Sequence, residues 1–280
     1  ELYAGQNKNS EHLNNNFSGL NKIKIGYFSG DICDHAILHL TLDIFKYHDK
    51  SKFEIYAFYS GAKEDRWTEK AKVYFNKFFN VSNLSGEEIA SLSRKNKIDI
   101  SINCAGYTLY GQNEAFNHRT SSIQINYLGY PGTMGDKCHD YIIADKFVLP
   151  KEEASNYTEK FLYLPNCYQA NRSKIPISDS HLSKKYLGLP EDAFVFACFN
   201  GSYKINPEIF DTWMKILKGH ENSVLWLLNT NDCSKNLIKE ALKKNIDPKR
   251  VIFCERTSVE IYHSRFKFVD LFLDTYPYNA

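Results

Sequence analysis

Short apolar runs alternate with amphipathic stretches from residue 23 onward, and this alternation predicts strands followed by helices. In the first half, the runs at 23–29, 53–59, 78–81, 98–103, 123–128, 141–145 and 160–164 read as strands. Helices are expected at about 35–47 and 64–76. A third opens at Ser85-Gly86-Glu87-Glu88. Ser85 is its expected N-cap, and Asp34 that of the first helix. In the second half the strands are 194–198, 223–228, 250–254 and 270–274, with helices near 207–218, 234–245 and 258–267. Asn206 can cap the first of these and Pro207 suits its first position, while Phe210, Trp213, Met214 and Leu217 form one apolar stripe that reads as core.

Strands alternating with helices point to an α/β protein with parallel sheets covered on both faces. The expected organisation is a polar N-terminal segment at 1–20, a first lobe at 21–170, a polar linker at 171–188 and a second lobe at 189–280. Every candidate loop lies where a strand has just ended, which is where open α/β sheets bind ligands. These loops are Gly30 to His39, Gly106-Tyr107-Thr108, Gly129 to Gly135, Asn200 to Lys204, and Glu255-Arg256-Thr257. In the fourth, Lys204 stands between a strand and a helix N-terminus. An ammonium there adds to the partial positive charge of the helix end and suits a phosphate. His35 and His39 share a helix face. They read as a structural pair, or as a base in the case of His35. A metal would need a third ligand, none is evident, and the Glu of an H-E-x-x-H helix is missing.

Composition narrows the classes. The chain has 280 residues, a net charge of +2 and 24% charged residues, which gives no reason to expect nucleic acid or an anionic membrane surface as partner. Aromatic content of 15% fits large core side chains or stacking on sugars and bases. Seven scattered cysteines with no C-x-x-C argue against a disulfide framework or a structural zinc, and fit a reducing, cytoplasmic setting. No apolar run approaches a membrane span and no signal peptide opens the chain. The first residue, Glu1, begins a polar stretch without an initiator Met, so a fragment of a longer protein is expected.

The sequence contains no G-x-G-x-x-G after its first strand, no G-x-x-x-x-G-K-[ST], no G-x-S-x-G and no D-x-D. What it contains is an ordered series of blocks: Gly26-Tyr27-Phe28-Ser29-Gly30-Asp31, Asp34-His35 with His39, Gly106-Tyr107-Thr108, and Tyr127-Leu128-Gly129-Tyr130-Pro131-Gly132-Thr133-Met134-Gly135. These are followed by Asp140-Tyr141-Ile142-Ile143-Ala144-Asp145, Tyr163-Leu164-Pro165, Phe199-Asn200 with Tyr203-Lys204-Ile205, and Asp270-Leu271-Phe272-Leu273-Asp274-Thr275 with Pro277-Tyr278-Asn279-Ala280. From about Lys22 to Ala280 the chain resembles the catalytic region of the O-GlcNAc transferase / SPINDLY family of glycosyltransferases, in its bacterial form.

The resemblance implies a GT-B fold of two Rossmann-like, doubly wound lobes with the nucleotide sugar between them, the second lobe incomplete here. It also implies an inverting, metal-independent transfer to Ser or Thr hydroxyls of proteins, most simply of GlcNAc from UDP-GlcNAc, with no cofactor. Lys204 then stabilises the leaving diphosphate and Tyr203 belongs to the pocket. Asn200 lies on the donor side, and His35 matches a histidine proposed as base. Thr108, Leu128, Gly129 and Pro131 line the sugar site, and Arg256 and Thr257 fall near the uracil. A tetratricopeptide array precedes such regions, so 1–20 is at most its end. Residues 1–280 alone are expected to be inactive or nearly so. Departures from the family pattern, at Ala36, Gly201 and Tyr262, leave GDP-fucose and UDP-glucose open as donors. A glycosyltransferase with a non-protein acceptor is an alternative reading, and Ala36 and Gly201 are also consistent with a non-catalytic nucleotide-sugar-binding module.

Overall fold

The computed structural model describes residues 22–174, 177, 182–230 and 233–279. The segment at 1–20, Ala280 and most of 175–181 within the expected linker lie outside the described residues. The chain divides into two compact units, after Ser173.

The first unit holds β1 (Ile23–Ser29), α1 (Ala36–Tyr47), β2 (Phe53–Tyr59), α2 (Arg66–Lys72), β3 (Lys77–Asn80), α3 (Gly86–Lys95), β4 (Ile100–Asn103), α4 (Asn113–Asn117), β5 (Ile123–Asn126), β6 (Tyr141–Ala144) and β7 (Lys160–Tyr163). Its seven strands lie in the order β3-β2-β1-β4-β5-β6-β7, every adjacent pair parallel. The central strands are near-continuous apolar runs because helices cover both faces. Tyr27, Phe28, Ala57, Phe58 and Tyr59 are all buried, and Phe28 stacks on Phe58 with ring centroids 4.3 Å apart.

Local signals hold in part. Ser85 caps α3 in a reciprocal box with Glu88. Asp34 does not cap α1. His35 is the N-cap, its Nδ1 accepting from Ile37 N at 3.3 Å, while the Asp34 carboxylate meets His39 Nε2 at 2.9 Å. The helix expected at 64–76 shrinks to Arg66–Lys72. Asp65 caps it, and by Asn76 the chain has already joined the sheet, donating its N–H to Ile55 O at 2.8 Å. The fifth strand stops at Asn126 rather than 128 because Leu128 turns the chain with φ +80°.

The second unit holds β8 (Phe194–Cys198), α5 (Pro207–Gly219), β9 (Ser223–Leu228), α6 (Cys233–Lys243), β10 (Val251–Cys254), α7 (Val259–Arg265) and β11 (Leu271–Phe272). Its parallel sheet runs β10-β9-β8-β11. Asn206 Oδ1 accepts from Ile209 N at 2.9 Å to cap α5. The stripe Phe210, Trp213, Met214 and Leu217 packs against Cys198, Leu225 and Leu227, as a core stripe should. The helix expected at 258–267 ends as α7 at Arg265 and tightens into a 3-10 turn over Phe266–Phe268. No helix of the described residues is long and apolar enough to cross a membrane.

All seven cysteines are free thiols. Burial pushes the Cys104 thiol up to about 12 and the Cys138 and Cys254 thiols up to about 11, whereas Cys167 is exposed. The thiolate is the reacting species. Iodoacetamide at pH 8 should therefore modify Cys167 in the native protein and spare Cys104, Cys138 and Cys254 until a denaturant is added. Peptide mass mapping checks this, and native labelling of Cys104 at the rate of Cys167 would contradict it.

Candidate functional site

In the first unit the strand order reverses between β1 and β4, and a ligand crevice is expected beyond the carboxyl ends of the strands there. Three loops meet at that edge. The loop after β1 begins at Gly30, whose absent side chain makes room for Tyr110: a Cβ there would lie 2.4 Å from Tyr110 Cβ. The loop after β4 turns on the Asn103 side chain, whose Oδ1 accepts from Ala105 N at 3.1 Å and Gly106 N at 2.8 Å. Gly106 takes φ +56° under the Tyr130 ring. Thr108 follows, exposed, with its hydroxyl donating to Ala105 O at 2.8 Å.

The loop after β5 carries Leu128, Gly129 and Pro131. Leu128 is buried and left-handed, Gly129 is half-buried, and Pro131 is exposed. Gly129 passes so close to β4 that a Cβ would stand 1.8 Å from Cys104 O. The two loops are also tied by Tyr107, whose hydroxyl donates to Met134 O at 2.6 Å. Glu159, buried, fixes the glycine-rich stretch by accepting from Met134 N at 2.6 Å and Thr133 Oγ1 at 2.7 Å. An apolar hollow of about 60 Å³ lies behind Leu128, Tyr130 and Pro131, closed by Ile142, Tyr157 and Tyr168.

His35 stands at the start of α1 with its side chain 49% exposed and Nδ1 3.7 Å from Asp31 Oδ1. Burial pushes the Asp31 carboxyl up, against the pull of His35. Because Nδ1 accepts the Ile37 N–H, the neutral ring carries its proton on Nε2 and presents a donor outward. Among the described residues, no group of three or more His, Cys, Asp or Glu side chains is placed to hold a metal ion.

In the second unit the order reverses between β8 and β11, and the segments that follow these two strands are stitched together. Asn200 Nδ2 reaches Thr275 Oγ1 at 2.8 Å and Asp274 Oδ1 at 3.2 Å. Asn206 Nδ2 donates to Tyr276 O at 2.7 Å. A 3-10 turn over Ser202–Lys204 carries Lys204 to this seam, where the half-buried side chain donates from Nζ to Asn279 O at 2.7 Å. An ammonium has three donors, so this bond orients Lys204 without exhausting it. Tyr203 beside it is 84% exposed. Arg256 and Thr257 are exposed past the end of β10, two strands away from β8.

Thus Thr108, Leu128 and Gly129 share one set of interlocked loops, and Asn200, Tyr203 and Lys204 share another. Arg256 and Thr257 stand apart on their own strand end. The sequence reading missed Asn103 and Glu159, whose side chains bond the loops of the first set. The one signal for Asn103 was a polar residue ending an apolar strand just before a glycine turn.

The family model described as Glycosyl transferase family 41 matches residues 5–174 and 169–280. A protein of Arabidopsis thaliana named "Probable UDP-N-acetylglucosamine--peptide N-acetylglucosaminyltransferase SEC" is 35% identical over 264 residues, 92% of this chain and 27% of its own length. A protein of Oryza sativa subsp. japonica named "Probable UDP-N-acetylglucosamine--peptide N-acetylglucosaminyltransferase SPINDLY" is 26% identical, over 91% of this chain and 28% of its own. The chain therefore spans little more than a quarter of the length of these relatives. Among solved structures, a K341M mutant of the Thermobaculum terrenum O-GlcNAc transferase superposes with a TM-score of 0.81 at 24% identity, covering 93% of this chain and 49% of that one. That likeness shows the fold.

Proposed function

The chain belongs to glycosyl transferase family 41, and on that premise we propose that it is the catalytic region of a protein O-glycosyltransferase. The donor is UDP-GlcNAc and the acceptors are Ser or Thr hydroxyls of proteins. The names of the relatives support both assignments. The transfer inverts the anomeric carbon and uses neither metal nor cofactor. Seven unpaired thiols suit the reducing cytoplasm as its setting.

One observation carries the reading. Lys204 is oriented at the β8–β11 reversal by a hydrogen bond to Asn279 O, next to the N-terminus of α5. As the glycosidic bond to the donor breaks, negative charge grows on the diphosphate, and a fixed cation near it lowers the barrier. Asn200 and Tyr203 complete that side. Arg256 and Thr257 are assigned to the base of the nucleotide, and Thr108, Leu128, Gly129 and Pro131 to the sugar. The Nδ1 lone pair of His35 is engaged by Ile37 N–H, so this ring takes a proton only after its cap bond opens. An oxygen of the departing diphosphate is the better acceptor for the hydroxyl proton.

The test is a donor panel of UDP-GlcNAc, GDP-fucose and UDP-glucose given to the full-length protein with protein acceptors, with and without EDTA. Intact-mass shifts and NMR of the new linkage are the readouts. GlcNAc transfer that survives EDTA and gives the β-linked product is expected. Nucleotide binding with no product from any donor would overturn the proposal in favour of a binding module.

A further inference from the structure

We propose that His139 is a positioning residue for the loop after β4, acting through Asn103. Asn103 ends β4 fully buried. Its Oδ1 faces two backbone N–H groups, Ala105 at 3.1 Å and Gly106 at 2.8 Å, and these bonds make the turn that presents Thr108. That orientation puts the amide nitrogen at the other end. Its two hydrogens meet two acceptors: Asn113 Oδ1 at 3.1 Å and His139 Nε2 at 3.0 Å. Nε2 must therefore hold a lone pair, and the ring proton belongs on Nδ1.

The surroundings of the ring agree. Nδ1 lies 3.0 Å and 3.2 Å from the two oxygens of Asp136. Asp136 is fixed in turn by the backbone N–H groups of Cys138 at 2.8 Å and His139 at 3.0 Å. The imidazole side chain is wholly buried and lies against Phe116, ring centroids 4.8 Å apart and planes 21° apart. The result is a line of directed bonds from Asp136 through His139 and Asn103 to the amides of Ala105 and Gly106. A histidine that only filled space would not need a particular tautomer. This one does, because the other hydrogen-bonding positions of Asn103 are already committed.

Without an acceptor at Nε2, Asn103 keeps a buried N–H with no partner, and the amide is free to rotate away from the turn. The consequence for catalysis rests on the donor-side reading of Thr108 given above; the structural consequence does not. Two variants of the full-length protein separate the possibilities. His139→Met keeps bulk and removes the acceptor. His139→Gln brings a carbonyl oxygen to the same reach.

Hydrogen exchange at the amides of Ala105 and Gly106 should accelerate at least about tenfold in H139M and stay within about threefold of the wild type in H139Q. KM for UDP-GlcNAc should rise about tenfold in H139M with a smaller change in kcat, and H139Q should restore it. Unchanged exchange in H139M, or equal damage in the two variants, overturns the relay. Faster exchange with an unchanged KM upholds the relay and counts against the donor role of Thr108. Should H139M not fold, the ring 15N shifts of His139 in the wild type decide: a proton on Nδ1 supports the relay, and one on Nε2 overturns it.

Discussion

Replacing Lys204 with Ala should reduce turnover of the full-length protein by at least about a hundredfold, the scale of losing one preorganised stabiliser of developing charge. Lys204 is the one cation of the loop Asn200 to Ile205, and its Nζ is oriented by donating to Asn279 O at 2.7 Å. Anchoring matters because an ordered ammonium needs no reorganisation when the diphosphate departs. Stability should hardly change, since the side chain is half-buried and its lost partner is a carbonyl that water can satisfy. Loss of kcat at saturating donor with an unshifted melting curve is therefore the signature. Lys204→Arg should recover little: the guanidinium keeps the charge but is planar and longer, so its donors fall elsewhere. A rate for Lys204→Ala equal to that of the wild type would remove the mechanism proposed for this chain.

The parts that were legible from sequence are those decided locally or by periodicity. Apolar runs such as 53–59 and 223–228 marked the parallel strands of two Rossmann-like lobes in a GT-B fold. The stripe from Phe210 to Leu217 marked the buried face of α5. Where tertiary contacts compete with local preference, boundaries moved. Asn76 pairs with Ile55 and ends the run expected to be helical through that residue, and His35 caps α1 in place of Asp34. The devices that shape the site were not legible, because their partners are distant in sequence. Glu159 reaches back 25 residues to Met134, and His139 lies 36 residues from Asn103. Leu128 at φ +80° is invisible in a sequence, since leucine carries no preference for left-handed backbone.

Gly129→Ala should be among the most damaging single changes in the first unit, although it adds one methyl group to a half-buried position. The new Cβ would stand 1.8 Å from Cys104 O, and neither backbone is free to yield. Cys104 N is bonded to Phe28 O at 2.9 Å, and Tyr127 N to Asn103 O at 3.0 Å, so both sides of the contact are fixed by the sheet. Forcing them apart should cost about 3 kcal/mol, the upper part of the range for overpacking. For a unit of this size that corresponds to a fall of about 10 °C in its melting temperature. Gly135→Ala is the control. Gly135 has φ +63° but nothing within 4 Å of the added Cβ, so only backbone strain opposes it. Its expected cost is about 1 kcal/mol. Urea denaturation of both variants reads the difference directly. In a donor titration of the folded variants, affinity should fall for Gly129→Ala, because Leu128 and Pro131 ride on the displaced backbone, and hold for Gly135→Ala. Equal stability losses for the two glycines would mean that the close approach of the β4 and β5 loops does not exist in solution, and the sugar-side assignment of Leu128, Gly129 and Pro131 would lose its geometric basis.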